Sequence, residues 1–212
     1  LADAMAVHRA VLLASPESRG YVTALAEACR RWEVALASPA LRARIERRQL
    51  ALNLPSGADA TLVDLETDVV GDLVAWAVTA DGPLRELGDS KLGDRVLFEA
   101  RAVDLAEIDA LVDTVLEQRE AKDFPEPMEA WSLLARLQGR VETALRRYGP
   151  ELRNDIAPSI FHAVTNWTCR LYNDEREHAL GRAAFLWVRD LSETLPAKDH
   201  QLAVKNAKVN WY

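Results

Sequence analysis

Apolar residues recur along this chain every three or four positions, and strict two-residue alternation is almost absent. The dominant period is therefore helical, and strands find no place. A first helix is expected from about Ala2 to Ala14. Ser15-Pro16 then supplies a cap and a first-turn proline for a second helix, from about Glu17 to Ala37. Ser38-Pro39 repeats the device and opens a third helix to about Leu52, which Leu54-Pro55-Ser56-Gly57 ends. From Asp59, residues Leu62, Leu65, Val69, Leu73, Trp76 and Ala77 form one apolar stripe that should face the core.

Asp81-Gly82-Pro83 breaks the chain, Gly88 and Gly93 interrupt the next stretch, and Val96 to Ala102 resumes helical spacing. Asp104 and Glu107 have the spacing of a capping box for an amphipathic helix through Ile108, Leu111, Val112, Val115 and Leu116. Lys122 to Pro127 reads as a linker, because Pro125 and Pro127 cannot both lie inside a helix. A helix from Trp131 to Arg147 stops at Tyr148-Gly149-Pro150, and Pro158-Ser159 is expected to open a helix running past Glu177. Leu180 to Thr194 and Ala197 to Tyr212 complete the series. The fold class is all-α: a single bundle-like domain, 1–212, of about eight to ten helices, with a sub-boundary offered by the proline-rich linker at 121–127.

Composition narrows the function classes. The chain has 212 residues, about one domain's worth, and Lys plus Arg total 26 against 33 for Asp plus Glu. The formal charge of -7 argues against whole-surface attraction to nucleic acid or an anionic membrane. Two cysteines, Cys29 and Cys169, make neither a disulfide framework nor a zinc motif, and a reducing compartment fits them. Apolar runs such as Ala75 to Val78 fall far short of a membrane span, and the start has no basic segment leading an apolar one, so the reading is cytoplasmic. Opening on Leu1 is the pattern of a processed chain or a piece of a longer protein.

The four histidines, His8, His162, His178 and His200, are scattered. Glu175-x-x-His178 has the spacing of half a carboxylate-bridged dimetal motif, but there is no second copy, and the surrounding charges read as a solvated face. No metal or other cofactor is expected. Arg42, Arg44, Arg47 and Arg48, with Arg30 and Arg31, form the strongest basic cluster; Glu46 among them favours ion pairing over phosphate binding. The stretch from Ser159 is the most informative. On one helix, Ser159, His162, Asn166, Arg170, Asn173 and Glu177 recur at intervals of 3, 4, 4, 3 and 4, a continuous polar stripe. Such a stripe either lines a cleft or is the wet face of an ordinary amphipathic helix. In a cleft, His162 would exchange protons near neutral pH while Asn166 and Arg170 bind a polar substrate.

Pro158-Ser159-Ile160-Phe161-His162-Ala163-Val164-Thr165-Asn166, with Glu177 further along, resembles the C-terminal signature of the lantibiotic-dehydratase elimination domain, also called the thiopeptide-type bacteriocin biosynthesis domain. Ser159, His162, Asn166 and Glu177 match its register. Trp167 stands where the family carries Arg, Ala163 replaces a methionine, and the family's arginine-rich, strand-bearing half has no counterpart. The resemblance implies β-elimination of an activated Ser or Thr side chain in a precursor peptide, or cyclisation of two dehydroalanines. It implies His162 as the catalytic acid or base, with Ser159, Asn166 and Arg170 on the substrate. The missing half leaves room for a partner protein, or for an inactive peptide-binding relative.

Two functions are thus expected in competition. The first is an enzyme or accessory protein of modified-peptide biosynthesis, a lyase acting on a precursor peptide. The second is a non-catalytic all-α interaction domain, favoured by the lack of a complete catalytic set and by six tryptophans, a residue type enriched at interface anchors. In that second reading the partner is a protein in a homo- or hetero-oligomer, and Trp211-Tyr212 is a docking element. Nucleic-acid binding through the arginine cluster is the weakest of the options.

Overall fold

The computed structural model describes residues 1–18, 20–53 and 57–208. They are all-α: nine α-helices and three short 3-10 turns, with no strand among the described residues. The helices are α1 Ala2–Leu13, α2 Tyr21–Leu36, α3 Pro39–Leu52, α4 Ala58–Ala77, α5 Lys91–Glu120, α6 Pro127–Tyr148, α7 Arg153–Asn173, α8 His178–Leu191 and α9 Ala197–Ala207. Among the described residues, no helix is long and apolar enough to cross a membrane. The chain divides into two compact units, Leu1–Val103 and Asp104–Tyr212, and the division falls inside α5. The prolines at 121–127, where a sub-boundary was expected, instead link α5 to α6 within the second unit, because both helices feed one core there.

In the first unit, Leu25, Cys29 and Trp32 of α2 bury against the α4 stripe of Val69, Val70, Leu73 and Ala77. Pro39 does sit in the first turn of α3, and Asn53, in the left-handed region at φ 50°, ends that helix. The expected stop at Leu54-Pro55-Ser56 lies outside the described residues, as does Trp211-Tyr212. Ser15-Pro16 does not start α2. The Pro16 carbonyl accepts the Asp81 amide at 3.3 Å, so this stretch ties the first turn to the loop after α4, and the helix begins only at Tyr21. The capping box at Asp104 does not form either, because α5 is continuous through it. The start of α5 is capped by Ser90, whose hydroxyl accepts the Gly93 amide at 3.0 Å.

The core of the second unit gathers Ile108, Val112 and Val115 of α5, Leu133, Leu137 and Val141 of α6, Ile160, Val164 and Trp167 of α7, and Leu180, Ala184 and Val188 of α8. Gly149 takes φ 95°, ψ 168°, a conformation reserved for glycine, and turns the chain from α6 into Pro150–Leu152. Contrary to the sequence rule, Pro158 lies inside α7, which starts at Arg153. A proline inside a helix costs about 3 kcal/mol, from the lost hydrogen bond together with the clash of its ring against the carbonyl four residues back. Burying Leu152 and Ile156 returns about 1.5–3 kcal/mol for each side chain. Burial therefore outweighs the proline's local preference and extends the helix upstream of it.

Two glycines make opposite predictions. A Cβ on Gly93 would stand 1.8 Å from the Leu87 carbonyl oxygen, so backbone has to move. Gly93→Ala should cost about 1–3 kcal/mol in denaturant unfolding. Gly71, inside α4, faces open space, and Gly71→Ala should raise stability by about 0.4–1 kcal/mol in the same measurement.

Candidate functional site

The polar stripe of α7 is the site that the sequence singles out, and its members do different things. His162 is exposed, and its Nε2 stands 3.5 Å from Asn166 Nδ2, one turn on. Ser159 is exposed too, but its hydroxyl donates to the Ile156 carbonyl at 3.1 Å, a local helix contact. Arg170 is engaged by backbone carbonyls at the end of α5. Its Nη1 donates to the carbonyls of Gln118, Arg119 and Ala121 at 3.2, 2.7 and 2.6 Å, and its Nη2 to that of Lys122 at 3.4 Å. The guanidinium also lies 5.1 Å over the Phe124 ring and reaches the Glu175 carboxylate at 3.4 Å. Gln118 and Arg119 lie in the last turn of α5 and Ala121 and Lys122 just beyond it, so Arg170 caps that helix from a neighbour, where a cation is favoured.

Glu177 leaves the stripe altogether. α7 ends at Asn173, Arg176 takes φ 58°, and the Glu177 amide folds back to the Leu171 carbonyl at 3.0 Å before α8 begins at His178. The continuous helix past Glu177 is therefore corrected to a helix, a reversal and a second helix. The reversal brings the Tyr172 ring within 4.9 Å of the His178 ring, edge to face. Glu175 and His178 consequently do not share a helical face, and no group of three or more His, Cys, Asp or Glu side chains gathers for a metal among the described residues. The cysteines offer no activated thiolate: burial pushes the Cys29 thiol up to about 12, and desolvation raises that of Cys169. Most of the arginines of the basic cluster that show partners pair with carboxylates: Arg42 with Glu46 and Asp59, Arg30 and Arg31 with Glu27.

A concave surface of the second unit lies elsewhere, between α5 and α6. This groove of about 700 Å³ is lined by Glu107, Ala110, Leu111 and Thr114 of α5 and by Ala135, Arg136, Gly139, Arg140 and Thr143 of α6. It continues past Thr114 and Arg136 into a second depression of about 370 Å³ beside Gln118, Met128 and Ser132. The helix spacing explains it: Glu107, Leu111, Thr114 and Gln118 repeat at intervals of 4, 3 and 4 on α5, and Ser132, Ala135, Gly139 and Thr143 at 3, 4 and 4 on α6, so a stripe of small residues on α6 lies along one face of α5 and leaves a depression between them. Arg140 bridges to Glu107 at 3.0 Å, whereas Arg136 has no ion pair among the described residues. Gln118 Oε1 is buried without a hydrogen-bond partner, and Met128 is 82% exposed. None of the four surface depressions described for the molecule is lined by His162, Asn166 or Arg170.

One turn beyond Glu107 and Thr143 lies an ion pair that the capping-box reading missed. Arg147 Nη1 donates to both carboxylate oxygens of Asp104 at 2.8 Å, and the Tyr148 hydroxyl donates to Asp104 Oδ2 at 2.7 Å. Both charged side chains are only 7% exposed. The signal was present in the spacing, since Asp104 precedes Ile108, Leu111 and Val115 on the same apolar stripe. A carboxylate there needs a buried cation.

No protein-family model, curated protein or solved structure matches the chain. Assignment rests on the residues alone.

Removing one partner of the buried pair strands the other charge. Arg147→Ala should lower stability by about 3–5 kcal/mol. The double replacement Asp104→Leu with Arg147→Met should cost clearly less than Arg147→Ala alone. Chemical denaturation of the three proteins reads both outcomes.

Proposed function

We propose that this chain is a non-catalytic helical interaction domain whose docking face is the α5–α6 groove, and that its occupant is an α-helix of a protein partner. The observation that carries the reading is a long open groove whose lining includes Ala110, Ala135 and Gly139, side chains short enough for a second helix to approach the backbone closely there. From Met128 to Thr143 the face runs roughly 22 Å at 1.5 Å per residue, the length of a four-turn helix. Gly139 supports the same reading: a mid-helix glycine costs about 0.5–1 kcal/mol relative to alanine, and nothing within this chain crowds its missing Cβ. Arg136, at the junction of the two depressions, asks for one carboxylate on the partner. The chain's own charge of -7 disfavours a broadly acidic partner, so an amphipathic helix with a small or apolar face and a single acidic residue fits best.

A displayed library of 18-residue helical peptides tests the reading. Selection should enrich small or apolar residues at i, i+4 and i+7 with an Asp or Glu set to meet Arg136. Gly139→Phe should weaken the enriched peptides at least about tenfold, and Arg136→Glu should exchange the preferred acid for a base. Peptides that bind the Gly139→Phe protein unchanged would move docking to another surface and remove the reading.

A peptide-modifying role is the second reading, favoured by the His162–Asn166 pair on the exposed side of α7. It requires a precursor peptide, or a partner protein, to complete around His162 the enclosure that proton transfer at carbon needs. His162→Ala should then abolish conversion of a precursor peptide while helical circular dichroism stays intact. Unchanged turnover would remove the histidine from the chemistry.

A further inference from the structure

His8 is the one histidine in the first unit, and no motif in the chain assigns it a role. It stands at the junction of α1, α2 and α4. Trp32 Nε1, from α2, donates to His8 Nδ1 at 3.2 Å. Asp72 Oδ2, from α4, lies 3.5 Å from His8 Nε2. The imidazole packs 4.4 Å from the Trp76 ring of α4 and 5.9 Å, edge to face, from the Trp32 ring. An indole N–H only donates, so Nδ1 must carry a lone pair. The docked ring is therefore the neutral tautomer with its proton on Nε2, aimed at Asp72.

We propose that His8 is an acid-sensitive latch that holds α1 to α2 and α4 while neutral and releases it when protonated. A proton on Nδ1 would set two donors against each other, leaving the indole N–H of Trp32, a residue 5% exposed, without an acceptor. α1 packs along α2 but buries few side chains there: Ala4 and Val11 are its only fully buried residues, and Met5, Leu12 and Leu13 are exposed, so the His8 junction is, among the described residues, its one polar tie to both α2 and α4.

The charges around the ring decide the sign. Asp72 favours the imidazolium but is 62% exposed and therefore screened. Asp68, one turn before it on α4, is exposed. On α2, Glu27 engages Arg30 and Arg31, and Arg31 also lies in the field of Asp3 of α1; Arg9 comes directly after His8 on α1 itself and is exposed. Burial is the larger influence and holds the His8 pKa below 6.5 against the pull of Asp72. The released ring thus binds a proton more readily than the docked ring. Docking is at full strength above about pH 6.5 and is lost as pH falls through the docked-state pKa.

Nitrogen NMR of the wild-type imidazole at pH 7.5 should show Nε2 protonated and Nδ1 bare. Amide exchange across α1, corrected for intrinsic rates, should show a loss of protection from pH 7.5 to pH 5 that is not shared by α2. His8→Gln, which keeps an acceptor for Trp32 but does not titrate, should remove that pH dependence, and Asp72→Asn should deepen the acid loss. An Nδ1–H tautomer at pH 7.5, equal α1 protection at both pH values, or an undiminished acid response in His8→Gln would each overturn the latch. The tautomer and the wild-type exchange decide the matter even where the glutamine variant folds poorly.

Discussion

The second unit is organised by how the two ends of one helix segment are fastened. At Asp104, α5 is held to α6 by a carboxylate that takes three hydrogen bonds from Arg147 and Tyr148, with both charges nearly out of water. About 21 Å along, at 1.5 Å per residue, the last carbonyls of α5 are gathered by Arg170 of α7. Apolar burial under these points is non-directional and would tolerate sliding of one helix along another. The buried pair fixes register because it has one satisfactory geometry, and the cap fixes where α5 stops and the proline link begins. Between them the outward stripes of α5 and α6 are held face to face as a standing groove. A groove formed before its occupant arrives spares the ordering cost that a flexible surface incurs on binding.

The same arrangement explains why Arg170 is a poor candidate for substrate. A guanidinium has five N–H donors in a fixed fork, and here two of its nitrogens are shared among four carbonyls and a carboxylate. Ser159 is likewise bonded to its own helix. What the polar stripe of α7 offers to solvent includes the imidazole of His162 and the amides of Asn166 and Asn173. A proton transfer at carbon also calls for water exclusion and convergent donors, which a bound peptide or partner would have to bring.

Much of the fold was legible in the chain, and the failures have specific causes. The α4 stripe, Pro39 at the head of α3, the proline link before α6 and the turn at Gly149 obey local rules that no tertiary contact opposes. Pro158 and Asp104 went otherwise because long-range terms won: buried Leu152 and Ile156 carried α7 through a proline, and a buried arginine 43 positions away turned a cap candidate into a core group. Glu177 went otherwise for a local reason, the reversal after Asn173 in which Arg176 is left-handed. Ser159, His162 and Asn166 do share a helical face, as their spacing required, but periodicity is silent on whether such a face lines a cleft. Nor does it reveal that a stripe of α5 from 107 to 118 and a small-residue stripe of α6 from 132 to 143 come to line one groove.

The α5–α6 groove is expected to be rigid because its α5 wall is fastened at both ends, by Arg147 and by Arg170. Spin labels at Asp113→Cys and Glu142→Cys, in a Cys169→Ser background with buried Cys29 left in place, measure the separation of the two helices directly by pulsed electron resonance. The account predicts one narrow distance distribution that broadens when Arg147 or Arg170 is replaced by alanine in a protein still helical. A broad distribution in the parent protein, or a narrow one that neither replacement disturbs, would contradict it.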